Sequence, residues 1–147
     1  MSIEENKAVV RRFYEAFYKG KEAAMTALEE LYAAPDYVIH GTGVFPDMDL
    51  ATMKQAAAAY YTAFPDLHYT VEDLIAEGDK VVHRFTCSGT HQGEFMGMPS
   101  TGKVVTYTGI ASCRFAGGKC VEEWRNVDDL GLMQQLGVIP QMAQTGA

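Results

Sequence analysis

The sequence lacks any apolar run long enough to cross a membrane, and it has little positive charge. None of its hydrophobic segments approaches the roughly 18 residues that a membrane-spanning helix needs. Its 12 Lys and Arg residues are outnumbered by 19 Asp and Glu residues, which leaves a net charge of −7. A partner with a phosphate backbone requires a basic patch. The composition therefore argues against both a membrane protein and a nucleic-acid-binding protein.

Cysteine is also scarce, and the sequence matches no familiar metal or cofactor motif. Cys87, Cys113 and Cys120 lie in apolar, strand-like segments without a CxxC pair. They are typical of small buried thiols in a reducing compartment, with a reactive cysteine as the alternative. The four histidines form no i,i+4 pair, and the chain has no GxGxxG loop and no nucleophile elbow. We therefore expect neither a metal nor a cofactor.

The length and the hydrophobic content predict one globular domain. The chain has 147 residues, of which 48% are hydrophobic. This is enough for a single core, so we predict one domain over residues 1–147. The N-terminus, MSIEENKAVVRR, is amphipathic and partly acidic. It is unlike a signal peptide, and we expect a cytoplasmic protein.

The first half of the chain is predicted to be mainly helical. Ser2 and Glu5 form a capping box for a first helix, which should end near Gly20. Asp49 is a plausible N-cap for a later helix. The other predicted elements of this half are a helix over 22–31, a short strand over 37–40 and a helix over 50–64.

The second half is predicted to be mainly strand. Gly78 lies in a hairpin turn, where glycine supplies the unusual backbone angle. Strands at hairpin spacing form a curved antiparallel meander, and helices packed on one face of it give an α+β fold. The predicted strands cover 67–76, 81–91, 103–115 and 120–128, and a short helix over 129–136 closes the chain.

The last predicted strand carries the first candidate functional site. Side chains alternate between the two faces of a strand. Glu122, Trp124, Asn126 and Asp128 should therefore share one face. An aromatic ring, an amide and a carboxylate on one face suggest the wall of a pocket. Trp124 would supply a flat apolar surface and Asn126 a hydrogen bond to a substrate oxygen, with core packing as the alternative for Trp124.

The order of the elements and several short motifs resemble the SnoaL-like polyketide cyclase (ester cyclase) family. That family has the NTF2-like cone, in which N-terminal helices pack on a curved antiparallel sheet and a short C-terminal helix follows. The resemblance extends from Phe13 to Gly137. Its motifs are Phe64-Pro65-Asp66, Glu77-Gly78-Asp79-Lys80, Gly89-Thr90-His91, Gly93-Glu94-Phe95-Met96-Gly97, Thr101-Gly102-Lys103, Glu123-Trp124, Asp128 and Gln135-Leu136-Gly137.

The resemblance implies a cofactor-independent enzyme with Asp128 as its general acid/base. An aldol-type ring closure needs a base for a proton next to a carbonyl and an acid for the new alkoxide. One carboxylate in an apolar pocket can do both, because desolvation raises its pKa toward neutrality. We expect Asp128 to face the pocket and Asp129 to cap the closing helix. The alternative is that Asp128 is itself the helix cap.

Further candidates are polar residues at strand ends and aromatic residues that could line a pocket. His40 and His91 could polarise a carbonyl or exchange protons, or could simply bond local backbone. Arg84 could bind a substrate oxygen, or could form an ion pair with Asp128 or Glu122. The predicted lining residues are Tyr107, Tyr14 and Phe17, and Met96 belongs to a flexible loop, 92–102, that could cover the mouth.

The resemblance leaves several functions open. Many relatives have a histidine where this chain has Ala111, so a partner for the catalytic aspartate is missing at that position. The first hypothesis is a cyclase or isomerase for a hydrophobic carbonyl or ester compound. The alternatives are a non-catalytic protein that binds a small hydrophobic ligand, and a hydrolase or dehydratase on the same fold. A homodimer formed through the outer face of the sheet is also expected from the resemblance.

Overall fold

The structure is a computed structural model that describes residues 2–32, 36–41 and 46–140, and within these ranges it contains four helices and one six-stranded sheet. None of these helices is both long enough and apolar enough to cross a membrane. The helices are α1 (Ile3–Lys19), α2 (Lys21–Leu31), α3 (Leu50–Ala63) and α4 (Asp129–Leu136). The strands are β1 (Val38–His40), β2 (Met48–Asp49), β3 (His68–Glu77), β4 (Lys80–Thr90), β5 (Val104–Ala116) and β6 (Lys119–Val127).

The predicted caps of α1 and α3 are confirmed. The Ser2 hydroxyl accepts the Glu5 backbone N–H, and the Glu5 carboxylate accepts the Ser2 backbone N–H. This exchange satisfies backbone donors that the start of α1 would otherwise leave unpaired. The Asp49 carboxylate accepts the N–H of Thr52 at 2.8 Å and caps α3 in the same manner.

The sheet has the order β2-β1-β6-β5-β4-β3, and the predicted α+β class is confirmed. Strands β3 to β6 form the expected antiparallel meander. The sheet as a whole is mixed, however, because β1 runs parallel to β6. Parallel neighbours need a long crossover connection, and here α3 and the first three strands of the meander supply it. The two-residue strand β2 was not predicted from the sequence.

The core lies between one face of the meander and the apolar sides of the helices. Along β4 and β5, buried and more exposed residues alternate, as expected for strands with one face covered. Helix α1 contributes three of the aromatic rings in this core, and the ring of Phe13 contacts those of Tyr14 and Phe17. Representative core residues are Phe13, Phe17, Leu28, Phe85, Val105 and Leu132.

A β-bulge in β6 decides which of its side chains face the core. Arg114 pairs with Glu122, but the next residue of β5, Phe115, pairs with Cys120. Val121 is therefore an extra residue on β6 without a partner of its own on β5. Side chains alternate between the two faces with a period of two. After one extra residue, every later side chain of the strand therefore points to the face opposite to the one that uninterrupted alternation would give.

Candidate functional site

A cavity lies between the inner face of the sheet, helix α1 and helix α3. It has a volume of about 120 Å³. Its walls are mainly apolar and aromatic, as is typical of sites for small organic molecules. Among the described residues, the charged side chains in its lining are Arg125 and Asp129, and three tyrosines contribute hydroxyl groups. The tyrosines are Tyr60, Tyr69 and Tyr107, and the apolar walls include Phe13, Phe17, Met48, Met53 and Val127.

Arg125 reaches the cavity because of the bulge in β6. Downstream of Val121, the inward side chains are those of Glu123, Arg125 and Val127. The guanidinium carbon of Arg125 lies 4.4 Å from the centre of the Phe85 ring. This is within the range of a cation–π interaction, which stabilises a cation away from water.

A buried carboxylate lies close to this guanidinium group. Glu123 is completely buried, two residues before Arg125 on the same face of β6. The guanidinium group stays protonated in proteins, and a buried cation needs nearby negative charge or strong acceptors. Glu123 supplies that charge, and the Tyr37 hydroxyl donates to one of its oxygens at 3.2 Å.

The two aspartates at the start of α4 have roles opposite to those expected. Asp128 is exposed, and its Oδ1 atom accepts the Gly131 N–H at 2.9 Å, so Asp128 is the helix cap. Asp129 is only 9% exposed and lines the cavity. Glycine at 131 makes the cap possible, because a Cβ atom there would lie 2.2 Å from the Asp128 carboxylate. The prediction that Asp128 faces the pocket and Asp129 caps the helix was wrong.

The tyrosines of the lining remain protonated near neutral pH. Burial raises the pKa of Tyr60, and the nearby negative charge of Asp129 raises it further. Burial is also the main reason that the pKa values of Tyr69 and Tyr107 are raised. Neutral phenols can donate hydrogen bonds. The cavity therefore combines a carboxylate, a guanidinium group and phenol donors within an apolar surround.

The comparison with known proteins identifies the family. A model of the SnoaL-like polyketide cyclases matches residues 8–136. The chain belongs to this family. This SnoaL-like protein is similar to AclR, a candidate hydroxylase from Streptomyces galilaeus, with 31% identity and a TM-score of 0.86 over 97% of this chain and 87% of AclR.

Other SnoaL-like structures are also similar. IdmH, a candidate polyketide cyclase from Streptomyces antibioticus, has 33% identity and a TM-score of 0.75 over 90% of this chain and 99% of IdmH. A SnoaL-like structure from Jannaschia has 22% identity and a TM-score of 0.81, over 95% of this chain and 97% of that one, and it supports the fold alone. No curated protein matches the sequence. The predicted family and NTF2-like fold are confirmed.

Two predicted wall residues of this SnoaL-like chain lie outside the cavity. Trp124 and Asn126 are exposed on the outer face of β6, and Trp124 stacks on His40 with ring centres 5.3 Å apart. Trp124 and Asn126 share one face of β6, as alternation predicts, but it is the outer face, because Val121 is an extra residue upstream of both. The prediction that they form the wall of the pocket was wrong for both residues.

Arg84 is likewise on the outer face. Its Nε atom donates to Asp73 on the neighbouring strand at 2.7 Å, and both side chains are about half exposed. The ion-pair alternative for Arg84 named Asp128 or Glu122 as the partner, and both were wrong. The partner is Asp73, which lies directly opposite in the β3–β4 register, and not Asp128 or Glu122.

His40 belongs to an ionic cluster on the outer surface. Its Nε2 atom lies 2.7 Å from Glu122 and its Nδ1 atom lies 3.0 Å from Asp47. The hydrogen bond to Glu122, followed by the one to Asp47, raises the pKa of His40. The side chain does not contribute to the cavity lining, although its neighbour Ile39 does.

His91 is completely buried but also lies outside the lining. Its Nδ1 atom accepts the backbone N–H of Thr101 at 3.2 Å and lies 2.9 Å from the Thr101 hydroxyl. The ring packs against Phe64, with 5.5 Å between the ring centres. These contacts close the base of the loop 92–102. The structure thus favours the local, backbone-bonded alternative for this histidine.

The remaining predicted residues divide between the cavity and its surroundings. Phe17 and Tyr107 line the cavity, as expected, and their role in substrate binding stays a prediction. Tyr14 lies beneath the lining, where its hydroxyl bonds His83 at 2.5 Å. Met96 is 60% exposed, with a φ of 50°, and does not reach the cavity.

A buried histidine lies one strand away from Ala111, the position at which the family resemblance implies a histidine. Ala111 on β5 pairs with His83 on β4 and with Arg125 on β6, so the three form one row across the inner face. Burial and then the charge of Arg125 lower the pKa of His83 to about 3, so that its ring is neutral. His83 was not among the predicted site residues.

Sequence reasoning missed most polar groups of the cavity. Arg125 was missed because the wrong face of β6 was taken as the pocket wall, and Asp129 was missed because it was expected to cap helix α4. Tyr60 and Tyr69 were not among the predicted site residues. One signal was available in the sequence. Cys120 and Val127 are both apolar, but they lie seven residues apart, and strict alternation would place them on opposite faces of the strand.

Proposed function

We propose that this SnoaL-like protein is a cofactor-independent acid–base enzyme that cyclises or isomerises a hydrophobic carbonyl compound. The observation that carries the proposal is the presence of Asp129 and Arg125 in an otherwise apolar and aromatic cavity. The family, and the similarity to the candidate polyketide cyclase IdmH, support this reaction class. The proposal transfers the acid–base role from Asp128 to its neighbour.

Asp129 acts first as the base and then as the acid. Its carboxylate removes a proton from the carbon next to a carbonyl group, which leaves an enolate. In a cyclisation, the enolate carbon attacks a second carbonyl carbon of the same molecule, and a carbon–carbon bond forms. The proton held by Asp129 then passes to the new alkoxide, so atoms and charge balance without a cofactor. In an isomerisation, the proton returns to a different carbon.

Arg125 and Tyr60 stabilise the negative oxygen that develops during these steps. The guanidinium group is already held against Phe85, and the Tyr60 phenol keeps its proton. Donors that are positioned before the reaction stabilise a transition state more strongly than mobile water does. The apolar walls exclude water and strengthen these interactions.

A second candidate is hydroxylation, which the similarity to AclR favours. AclR is a candidate hydroxylase with 31% identity to this chain. Residue 111 is alanine, so this chain lacks at that position the histidine that the resemblance to the cyclases implies. Hydroxylation adds an oxygen atom and needs dioxygen together with an external reductant. A change in the mass of the product therefore separates the two candidates.

The proposal is tested by small molecules that co-purify with the protein and by their conversion. A bound carbonyl compound would be identified by mass spectrometry and incubated with the wild type and with Asp129→Asn. A product of unchanged mass, or one lighter by water, supports cyclisation or isomerisation if the variant binds the compound without converting it. A product heavier by one oxygen supports hydroxylation. A ligand that neither protein converts supports the non-catalytic alternative.

We also propose that the protein is a cytoplasmic homodimer that pairs through the outer face of the sheet. That face carries exposed apolar side chains, including Val82, Ile110 and Trp124. Exposed apolar groups gathered on one sheet face are typical of protein interfaces.

A further inference from the structure

Three strands bring a histidine, a cysteine and a glutamate together beneath the cavity. His83 on β4, Cys113 on β5 and Glu123 on β6 are each at most 1% exposed. The His83 Nε2 atom lies 3.4 Å from Cys113 Sγ, and Cys113 Sγ lies 3.1 Å from Glu123 Oε1. The third separation, from His83 Nε2 to Glu123 Oε1, is 3.8 Å. Three different donor atoms therefore form a compact triangle.

The dimensions of this triangle match those around a four-coordinate metal ion. Zn²⁺ binds imidazole nitrogen and carboxylate oxygen at about 2.0–2.2 Å and thiolate sulfur at about 2.3 Å. Tetrahedral bonds of those lengths place neighbouring ligand atoms about 3.3–3.6 Å apart. The three observed separations bracket this range. An ion could therefore contact all three atoms with only small side-chain movements.

A metal ligand usually makes a further contact on its side away from the metal, here called its outer partner. Each of the three side chains has such a partner. The other ring nitrogen of His83 bonds the Tyr14 hydroxyl, and the other oxygen of Glu123 accepts from the Tyr37 hydroxyl. The Cys120 thiol lies against Cys113. Such outer partners orient ligands and are typical of metal sites. They leave Nε2, Sγ and Oε1 directed at one another.

We propose that His83, Cys113 and Glu123 form a structural zinc site. A set containing thiolate, imidazole and carboxylate suits Zn²⁺ and disfavours Mg²⁺ or Ca²⁺, which prefer oxygen ligands alone. The Cys113 thiolate offsets one charge of the ion, and the Glu123 carboxylate is shared between the ion and Arg125. None of the three residues lines the cavity, so the ion would hold β4, β5 and β6 together beneath the reacting groups. The inference does not depend on the proposed function.

The test uses the full chain and two metal probes. Because the site is buried, metal should enter during folding. Protein expressed in zinc-supplemented medium and passed over a chelating resin is analysed for zinc, with about one ion per chain expected. The chain is then unfolded with a chelator, freed of metal, and refolded with equimolar Co²⁺. We expect a thiolate-to-cobalt charge-transfer band and the strong visible bands of four-coordinate Co²⁺.

Variants establish where the metal is bound. Cys113→Ser should lose the charge-transfer band, whereas Cys87→Ser, which changes another buried thiol outside the triangle, should keep it. Tyr14→Phe leaves all three ligands in place and removes the outer partner of His83, so zinc affinity should fall about tenfold. A wild type without retained zinc and without the cobalt band overturns the inference and leaves a hydrogen-bonded cluster. Equal binding by wild type and Cys113→Ser also overturns it.

Discussion

Asp128 and Asp129 are adjacent in sequence, but Asp128 caps helix α4 at the surface and Asp129 lies in the wall of the cavity. The Asp128 carboxylate accepts a backbone N–H at the start of the helix, and Asp129 is largely buried. The two residues stand where strand β6 ends and helix α4 begins. The proposed acid–base role therefore belongs to Asp129, and substitutions can separate the two roles.

We expect Asp129→Asn to abolish turnover without unfolding the protein. The amide has nearly the same shape but cannot accept and return a proton, and positioned acid–base groups contribute about 10²–10⁴-fold to rates. Turnover of the co-purifying compound would be measured alongside circular dichroism. Asp128→Asn is the matched control and should keep full activity. If both variants convert substrate as the wild type does, Asp129 is not the base.

Asp128→Ala should lower the free energy of unfolding by about 1 kcal/mol, which is typical for the loss of an N-cap side chain. Asp128→Asn should lower the free energy of unfolding much less, because the asparagine side chain can accept the same Gly131 N–H. Urea denaturation of the two variants and the wild type would measure the difference. Equal stabilities for the alanine and asparagine variants would contradict the capping role.

Arg125→Lys should lower kcat by at least about tenfold, because removal of a positioned donor to a developing oxyanion commonly costs about 10²–10³-fold. Lysine keeps the charge but lacks the planar, stacked donor group that lies against Phe85. Steady-state kinetics would provide the measurement. Arg84→Lys changes an arginine that pairs with Asp73 on the outer face, and it should leave kcat unchanged. A loss of the same size in both variants would argue against a specific role for Arg125.

The ionic cluster around His40 should make stability depend on pH. Glu122 and then Asp47 raise the pKa of His40 in the folded protein. This stabilisation is fully present below the unfolded-state pKa of about 6.5 and is lost as the pH rises through the raised folded-state pKa. Urea denaturation between about pH 5.5 and about pH 8.5 would compare the wild type with His40→Gln.

The difference in stability between wild type and His40→Gln should shrink at the alkaline end. We expect a small effect, because the cluster is partly exposed and salt screens it. A difference that stays constant across the pH range would show that the raised pKa makes no contribution to folding.

Ile110→Lys should convert the proposed homodimer into a monomer. Ile110 is 50% exposed on the outer face of β5, and a buried, unpaired charge at a subunit interface is costly. Light scattering at micromolar concentration would report the mass. Leu130→Lys changes a residue on α4 of similar exposure, 57%, and should remain dimeric. A monomeric wild type would contradict the prediction directly.

Much of the architecture follows from local sequence. The capping box at Ser2, the cap at Asp49 and the turn at Gly78 lie where predicted, because each depends on residues within one turn of the chain. The family could also be predicted, since its motifs are spread along the sequence in a recognisable order. Phe17 and Tyr107 line the cavity as predicted, because both lie on regular elements whose periodicity is unbroken.

The composition of the site was decided only by tertiary structure. The bulge at Val121 depends on how β5 and β6 pair, and it turns Arg125 inward and Trp124 outward. The triangle of His83, Cys113 and Glu123 joins three strands and has no signature in sequence spacing. Local propensities determined the helices and strands. Strand register, which arises from contacts between distant residues, determined which side chains meet.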